Sequence, residues 1–326
     1  MQGAIIELTG IRGFVTCVLL SSVCAAVGGE PQDSTGSASR AYPSSTTIRV
    51  HSDLVQIPVT VTDGSGRVVL GLEKEHFTLF EDKVQQVITH FATDDAPASV
   101  GLVFDTSDSM QPRMNKAHEA VEALLKNANP EDEFFLVQFS DRARLVAGMT
   151  KDSEEISRRA RNMRIGGSTA LLDAVAMAME EMKSAHYLRK VMVIISDGDD
   201  NSSRCPVNEL KRIVREGDVT VYAIGITEDN VPIAYPQRDR LTGAALLNEI
   251  ATQTGGRLFE VHKLKQLPDI AAKISGWTRK QYVLGYAPEN SERNGAYRHV
   301  QVKLTKPKGY PRLHASWRLG YYAPTE

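Results

Sequence analysis

The sequence SVGLVFDTSDSM (residues 99–110) joins a continuous apolar run to a cluster of small oxygen-bearing side chains. Such an unbroken apolar run is typical of a parallel strand that is buried on both faces. Asp105 ends the run, and Ser107 and Ser109 follow at alternating positions. Side chains of these types at the end of a strand bind a cation, cap a helix or begin a phosphatase site. Other parts of the sequence distinguish between these three alternatives.

Outward from this stretch, strand-like and helical patterns alternate from about Ser99 to Trp277. The strand-like segments are SVGLVFD, EFFLVQFS, KVMVIISDG, VTVYAIGI and RLFEV. The helical segments are MNKAHEAVEALLKNAN, STALLDAVAMAMEEMK, VNELKRIVREG and ALLNEIATQTGG. In the first helix one apolar face is expected, formed by Met114, Ala117, Val121, Leu124 and Leu125. The alternation predicts an α/β fold with a doubly wound, mostly parallel sheet and helices on both faces.

Both sides of this region have strand patterns. We assign residues 97–277 to the α/β domain, 47–96 to a small β-module and 278–326 to C-terminal β-strands. The segment IRVHSDLVQIPVTVTD alternates apolar and polar residues, as a half-buried strand does. After the α/β region, QYVLGYAP, YRHVQVKLT and LHASWRLGYYAP are also strand-like. We expect the two flanks to pack near each other, with the α/β domain set between them.

The N-terminus predicts export. Phe14–Val27 is apolar, follows Arg12 and ends in small residues, the arrangement of a secretory signal peptide. It is shorter than the roughly 20 residues of a membrane-spanning helix. We predict a signal peptide or uncleaved anchor at 1–27 and a flexible linker at 28–46. The expected location is periplasmic, cell-surface or secreted, with membrane contact only through that anchor or through lipidation of Cys24.

Composition and missing motifs narrow the classes of function. The formal net charge is −2, which provides no electrostatic basis for binding nucleic acid. Without the N-terminal segment, only Cys205 of the three cysteines remains, which excludes an intramolecular disulfide and disfavours a cysteine metal site. The hydrolase motif GxSxG, the metalloprotease motif HExxH and the phosphate-binding motif GxxxxGK[ST] are absent from the sequence.

Three predicted loops carry oxygen-bearing side chains. The first contains Asp105, Ser107 and Ser109, the second places Ser168 and Thr169 after Gly166 and Gly167, and the third contains Asp197 in VIISDGDDNSS. In a doubly wound sheet such loops converge at the carboxyl ends of the strands. Hard oxygen donors of this kind suit Mg²⁺, and also Mn²⁺ or Ca²⁺, better than zinc or copper. Because the hydroxyls are neutral, a bound cation would stay electrophilic and would seek an acidic oxygen from another protein.

The three motifs together resemble the metal-ion-dependent adhesion site of von Willebrand factor A (VWA) domains, and the flanks resemble a family of bacterial VWA-related exported proteins. The resemblance implies a Rossmann-like domain that binds Mg²⁺ and a protein ligand presenting Asp or Glu. It also implies that the hydroxyls contact the metal directly while the two carboxylates act largely through water. The implied metal residues are Asp105, Ser107, Ser109, Thr169 and Asp197. We expect Asp108, Ser168 and Asp199 at the rim of the site. Asp108 departs from the family pattern, which usually has glycine there.

Two other functions are weighed against this one. The metal site could be unused while the β flanks mediate assembly in the cell envelope. A phosphatase of the strand-end Asp type is disfavoured, because Ser107 stands where that chemistry needs a second acid; we expect a binding protein and no enzyme. The stretch DGDDNSS also begins like a calcium loop, but Ser202 replaces its glycine and Asn208 its bidentate glutamate. Asp199, Asp200 and Asn201 are therefore predicted to be surface residues around the rim.

Overall fold

The computed structural model describes residues 54–198, 200–226, 243–261 and 263–325. The predicted signal segment and linker, and the predicted rim residue Asp199, lie outside the described residues. None of the helices in the described ranges is both long and apolar enough to cross a membrane.

Strands dominate both ends of the described chain, and helices alternate with strands in its middle. The strands are β1 (Val55–Asp63), β2 (Phe77–Glu81), β3 (Val84–Gln86), β4 (His90–Asp94), β5 (Ala98–Asp105), β6 (Glu133–Phe139), β7 (Ala143–Thr150), β8 (Arg189–Ser196), β9 (Thr220–Ile226), β10 (Leu258–Val261), β11 (Gln281–Tyr286), β12 (Tyr297–Leu304), β13 (Leu313–Trp317) and β14 (Gly320–Tyr322). The α-helices are α1 (Met114–Lys126), α2 (Ser153–Arg161), α3 (Leu171–Glu181), α4 (Val207–Glu216), α5 (Gly243–Gln253) and α6 (Leu267–Arg279).

The middle of the chain forms a six-stranded sheet in the order β10-β9-β8-β5-β6-β7. Its strands are parallel except for β7, which runs antiparallel to β6. Within this sheet, the first strand in sequence order is the central strand β5. Strands β6 and β7 are added on one side of β5, and β8, β9 and β10 are then added on the other. The predicted doubly wound, mostly parallel sheet is confirmed.

Helices cover both faces of this sheet and bury two separate apolar cores. One core contains side chains of α1, α2 and α6, and the other contains side chains of α3, α4 and α5. All five residues predicted to form the apolar face of α1 are buried in the first core. Burial of that face stabilises α1 more than helix propensity does, because a helix of 13 residues is marginal alone.

The two flanks of the α/β region pair with each other, as expected. One four-stranded sheet has the order β13-β1-β11-β4 and the other the order β14-β12-β2-β3, so each contains strands from both ends of the described chain. Ile57, Leu79, Tyr282 and Val300, which come from both sheets, share one buried core. The flanks therefore form a single β-sandwich, while the exact domain boundaries stay predictions.

Two elements of the α/β region, β7 and α6, have no counterpart in the sequence-based prediction. Helix α2 is anticipated only through the basic stretch 157–164, which is expected to be the solvated face of a helix or its end. Strand β7 lies at the sheet edge, and Ala147 is its only buried residue, so it lacks an alternating pattern. Helix α2 buries only Ile156 and Ala160 among mostly charged neighbours. Helix α6 contains Pro268 in its first turn and Gly276 near its end, which interrupt its periodic pattern.

A buried ion pair lies inside the β-sandwich. Arg298 Nη1 donates to Glu81 Oε1 at 3.0 Å, and the two side chains are 4% and 2% exposed. The hydroxyls of Tyr286 and Tyr321 each donate to Glu81 Oε2 at 2.7 Å. Glu81 on β2 thus connects Tyr286 on β11 in the opposite sheet to Arg298 on β12 beside it. Every oxygen of this buried carboxylate is hydrogen-bonded, which is the condition for tolerating a buried charge.

We expect Glu81→Gln to lower the free energy of unfolding by about 3 kcal/mol, because the buried Arg298 charge would lose its counter-charge. Urea unfolding followed by circular dichroism measures this loss. Glu216→Gln is the matched control, since Glu216 pairs with Arg212 at the surface and such pairs contribute less than about 1 kcal/mol. Equal losses in the two variants would contradict a special role for the buried pair.

Candidate metal centre

The first loop turns sharply where β5 leaves the sheet. Asp105 is the last residue of β5, and a 3-10 turn at Asp108–Arg113 leads into α1. Ser107 precedes this turn, but its side chain makes no capping hydrogen bond. Its hydroxyl oxygen instead lies 3.1 Å from that of Ser109. The alternative that the Ser107 side chain caps the following helix is therefore wrong. The hydroxyls of Ser107 and Ser109 form a pair of neutral oxygen donors.

Asp105 is completely buried beneath this pair. Its Oδ1 accepts the backbone N–H of Ser107 at 2.9 Å, and its Oδ2 accepts the hydroxyl of Ser196 at 2.6 Å. Ser196, the last residue of β8, also accepts the N–H of Gly198 at 2.9 Å. Burial raises the pKa of Asp105 to about 6, aided by the charge of Asp197 and opposed by these hydrogen bonds. A cation here would favour the ionised form and relieve the cost of burial.

The double glycine fixes the second loop against the first. The N–H of Gly166 donates to Thr106 O at 2.8 Å, and the N–H of Asp108 donates to Gly167 O at 3.0 Å. Gly167 has a φ of +100°, and a Cβ there would lie 2.7 Å from Oδ1 of Asp141. That oxygen accepts the N–H of Ser168 at 2.6 Å. Only glycine satisfies both the backbone conformation and the close carboxylate.

The third loop holds Thr169 through its backbone. The N–H of Thr169 donates to Oδ1 of Asn201 at 2.9 Å, and its carbonyl accepts the N–H groups of Asn201 and Ser202, each at 3.0 Å. Thr169 is 3% exposed. Both backbone polar groups of a predicted metal residue are therefore fixed by residues about thirty positions later.

The same loop caps helix α3. Ala170 occupies the N-cap position, where alanine has no side-chain acceptor. Oδ1 of Asp200 accepts the N–H of Leu171 at 3.0 Å, and the Ser203 hydroxyl accepts that of Leu172 at 3.0 Å. The prediction of Asp200 as a rim surface residue is therefore wrong: it is half-buried and caps a helix from a distant loop.

Asp197 lies just beyond β8 and has one engaged and one unengaged oxygen. Nη1 of Arg113 lies 3.4 Å from its Oδ2, and the Arg113 and Asp197 side chains are 9% and 11% exposed. Oδ1 of Asp197 is buried and has no hydrogen-bond partner among the described residues. A buried carboxylate oxygen without a partner is costly. Its position at the meeting point of the three loops fits a cation or a cation-bound water.

The structure thus brings the three predicted loops together and leaves the rim open. Ser109, Asp108 and Ser168 are exposed, whereas Ser107 is buried. Across the described residues, no three His, Cys, Asp or Glu side chains cluster as a metal site. The available donors are therefore hydroxyls and two carboxylates, which fit Mg²⁺, Mn²⁺ or Ca²⁺ better than a soft metal. The individual ligand roles stay predictions.

Sequence reasoning missed several residues that shape this site. Ser196 gave a weak signal, as a hydroxyl closing an otherwise apolar strand. Arg113 was also detectable, as the first basic residue after the DTSDS cluster. Asp141 and Ser203 had no such signal, because their contacts join loops that are far apart in sequence. Asn201 was predicted at the rim, but its hydrogen bond to Thr169 was not.

Removing the Asp105 charge should stabilise the metal-free protein at neutral pH. The folded-state pKa of about 6 exceeds the ordinary aspartate value of 3.8. Asp105 therefore favours folding below pH 3.8, and this contribution is lost as the pH rises through 6. In EDTA, we expect the free energy of unfolding of Asp105→Asn to exceed that of the wild type by about 2–3 kcal/mol at pH 7.5. At pH 4.5 we expect a much smaller difference.

Urea midpoints at the two pH values measure this difference. Asp95→Asn is the control with the opposite sign, because the hydrogen bond from Arg279 lowers the pKa of Asp95. That variant should lose stability at pH 7.5 relative to the wild type. A difference between Asp105→Asn and wild type that does not change with pH would show that burial does not control the Asp105 carboxyl.

Comparison with known proteins gives one family match and partial relatives. The family model for the von Willebrand factor type A domain matches residues 99–273. Inter-alpha-trypsin inhibitor heavy chain H4 of Sus scrofa is 29% identical over 168 residues, which cover 47% of this chain and 18% of that protein. The chain therefore spans less than a fifth of that curated relative.

Two solved structures illustrate the structural similarity. A von Willebrand factor type A structure from Catenulispora acidiphila has a TM-score of 0.49 and 15% identity, covering 85% of this chain and 76% of that one. Proximal thread matrix protein 1 from the mussel byssus, with a zinc-occupied MIDAS motif, has a TM-score of 0.45 and 23% identity, covering 59% and 48%. The family model itself spans more than half of the sequence, from β5 into α6, and this chain belongs to the von Willebrand factor type A domain family.

Proposed function

We propose that this protein is a metal-ion-dependent protein-binding module that holds Mg²⁺ and takes an acidic side chain from a partner protein. The proposed metal residues are Asp105, Ser107, Ser109, Thr169 and Asp197. The observation that carries the proposal is the buried Oδ1 of Asp197, which has no hydrogen-bond partner in the part of the chain that the structure describes and lies in the third of the three joined loops. We further propose, from the N-terminal sequence, that the protein acts after export.

The donor set supports binding through the metal. Hydroxyls of Ser107 and Ser109 bring no negative charge, so these two donors do not themselves reduce the positive charge of a divalent ion. Ser109 is exposed, which leaves the outer side of the site open to solvent. An Asp or Glu side chain of another protein supplies the kind of oxygen that such an ion prefers.

The geometry of Asp105 argues against nucleophilic catalysis. A strand-end Asp phosphatase needs a free carboxylate oxygen that attacks phosphorus. Both oxygens of Asp105 accept hydrogen bonds, from Ser107 and Ser196, and the residue is 0% exposed. The second position of the motif is the hydroxyl of Ser107, which does not act as a general acid at neutral pH.

One observation supports assembly through the β flanks as a second candidate function. The edge strand β3 and the residue after it expose Val84 by 50% and Val87 by 74%. An edge strand with apolar exposed residues pairs readily with another chain. Under this alternative, complex formation would be independent of divalent metal.

Thermal unfolding of the full chain should detect the metal. A ligand that binds only the folded state raises the free energy of unfolding, by about 2.7 kcal/mol at a ligand concentration of a hundred times its dissociation constant. The melting temperature rises with it. We expect Mg²⁺ or Mn²⁺ to raise the melting temperature relative to EDTA, and we expect Ser109→Ala and Asp197→Ala to abolish most of this rise. Ser291→Ala, an exposed serine in the C-terminal flank, is the matched control and should keep it.

Recognition of an acidic side chain can be tested on an array of short peptides. Peptides that bind the Mg²⁺-loaded protein should contain Asp or Glu, and replacing that residue by Asn or Gln should abolish binding. EDTA and the Asp197→Ala variant should have the same effect. Binding that survives both the peptide substitution and EDTA would favour the metal-independent alternative.

A further inference from the structure

Arg113 places a buried positive charge beside the candidate metal centre. It ends the 3-10 turn Asp108–Arg113, which contains Ser109, and its side chain is 9% exposed. Nη1 donates to the backbone carbonyl of Ser109 and lies 3.4 Å from Oδ2 of Asp197. The guanidinium therefore connects the first and third metal loops, and both of these contacts come from one nitrogen.

The two contacts limit where this charge can move. A surface arginine turns away from an arriving cation at little cost, but Arg113 is enclosed by the protein. Moving it would break the bond to the Ser109 carbonyl and expose Oδ2 of Asp197 without a partner. We therefore expect the guanidinium to keep its position when a metal ion binds.

Charge counting shows what a fixed guanidinium does. Asp105 and Asp197 contribute two negative charges, and Arg113 contributes one positive charge. With the carboxylates ionised, the three groups together carry one negative charge without metal and one positive charge with a divalent ion. Without the guanidinium, the loaded site would be neutral and would attract an acidic side chain less strongly.

We propose that Arg113 is a charge-setting and positioning residue of the metal centre, which weakens the affinity for the cation and strengthens the affinity of the loaded site for a carboxylate. This inference rests on the proposed function and goes beyond it, because it assigns opposite effects on two successive binding steps to one residue. Arg113 acts through Asp197 and through its charge, and it is not itself a ligand of the metal.

Metal titration separates this role from a structural one. We expect Arg113→Gln to bind Mn²⁺ about tenfold more tightly than the wild type, because one repelling charge is removed from beside a divalent ion. Arg113→Lys keeps the charge and should stay within about threefold of the wild type. Arg158→Gln, which removes an exposed arginine from α2, is the control for net charge and should change the affinity little.

The melting temperature with and without metal provides a second test of this role. Arg113→Gln should lower the melting temperature in EDTA, because Asp197 loses its neighbouring cation, and saturating Mn²⁺ should recover most of the loss. A purely structural role would lower the melting temperature equally with and without metal and would leave the Mn²⁺ affinity unchanged. That result, or weaker Mn²⁺ binding by Arg113→Gln, would overturn the proposal.

The second binding step is measured with acetate as the carboxylate probe. Water-proton relaxation of the Mn²⁺-loaded full chain falls when acetate displaces metal-bound water. Wild type and Arg113→Lys should respond at severalfold lower acetate concentrations than Arg113→Gln. Equal concentrations in all three proteins would overturn the ligand half of the proposal. Absence of Mn²⁺ binding by the wild type would overturn the proposed function as well, whereas normal metal binding with no effect of Arg113→Gln would overturn this inference alone.

Discussion

The buried carboxylate of Asp105 is the constraint on which the rest of the metal centre depends. An ionised carboxyl inside a protein is costly unless hydrogen bonds or a cation compensate it. Ser107 supplies a backbone N–H, which turns the chain sharply at the end of β5, and Ser196 supplies a hydroxyl from the neighbouring strand β8. The turn brings the hydroxyls of Ser107 and Ser109 together. The same carboxylate therefore joins the carboxyl ends of β5 and β8 and shapes the donor pair beside it.

Each of the three loops is hydrogen-bonded to the other two. Gly167 joins the second loop to the first, Asn201 joins the third to the second, and Ser196 returns to Asp105. Because Thr169 is held through both its N–H and its carbonyl, a displacement of Thr169 moves the loop that leads into α4. A site supported in this way is preorganised. Any change of state that accompanies ligand binding would involve the loops together, since no single one moves without breaking bonds to its neighbours.

The sequence predicted those features that depend on local pattern. The apolar face of α1 and the buried strands follow from periodicity, and the position of Asp105 follows from a strand that ends in a carboxylate. Features that depend on long-range contacts were not predictable. Asp200 resembles an ordinary loop residue until the fold places it at the N-terminus of α3, where Ala170 is unable to cap. Edge strand β7 was not predicted for a different reason. Its residues are partly exposed on both faces, which removes the alternation of apolar and polar residues on which strand prediction relies.

The β-sandwich has a mechanical consequence for the α/β domain. Strand β4 leads into the domain and β11 follows it, and these two strands are antiparallel neighbours, with Asp94 opposite Gln281. Paired Cα atoms in such a ladder are only about 5 Å apart, so the entry and exit of the domain are held side by side. A pulling force on the chain outside this pair would act at its His90–Gly285 end, and it would have to unzip the β4–β11 ladder before it reached β5. Until that ladder opens, its hydrogen bonds would carry the tension, and the metal loops at the carboxyl ends of the strands would not be loaded.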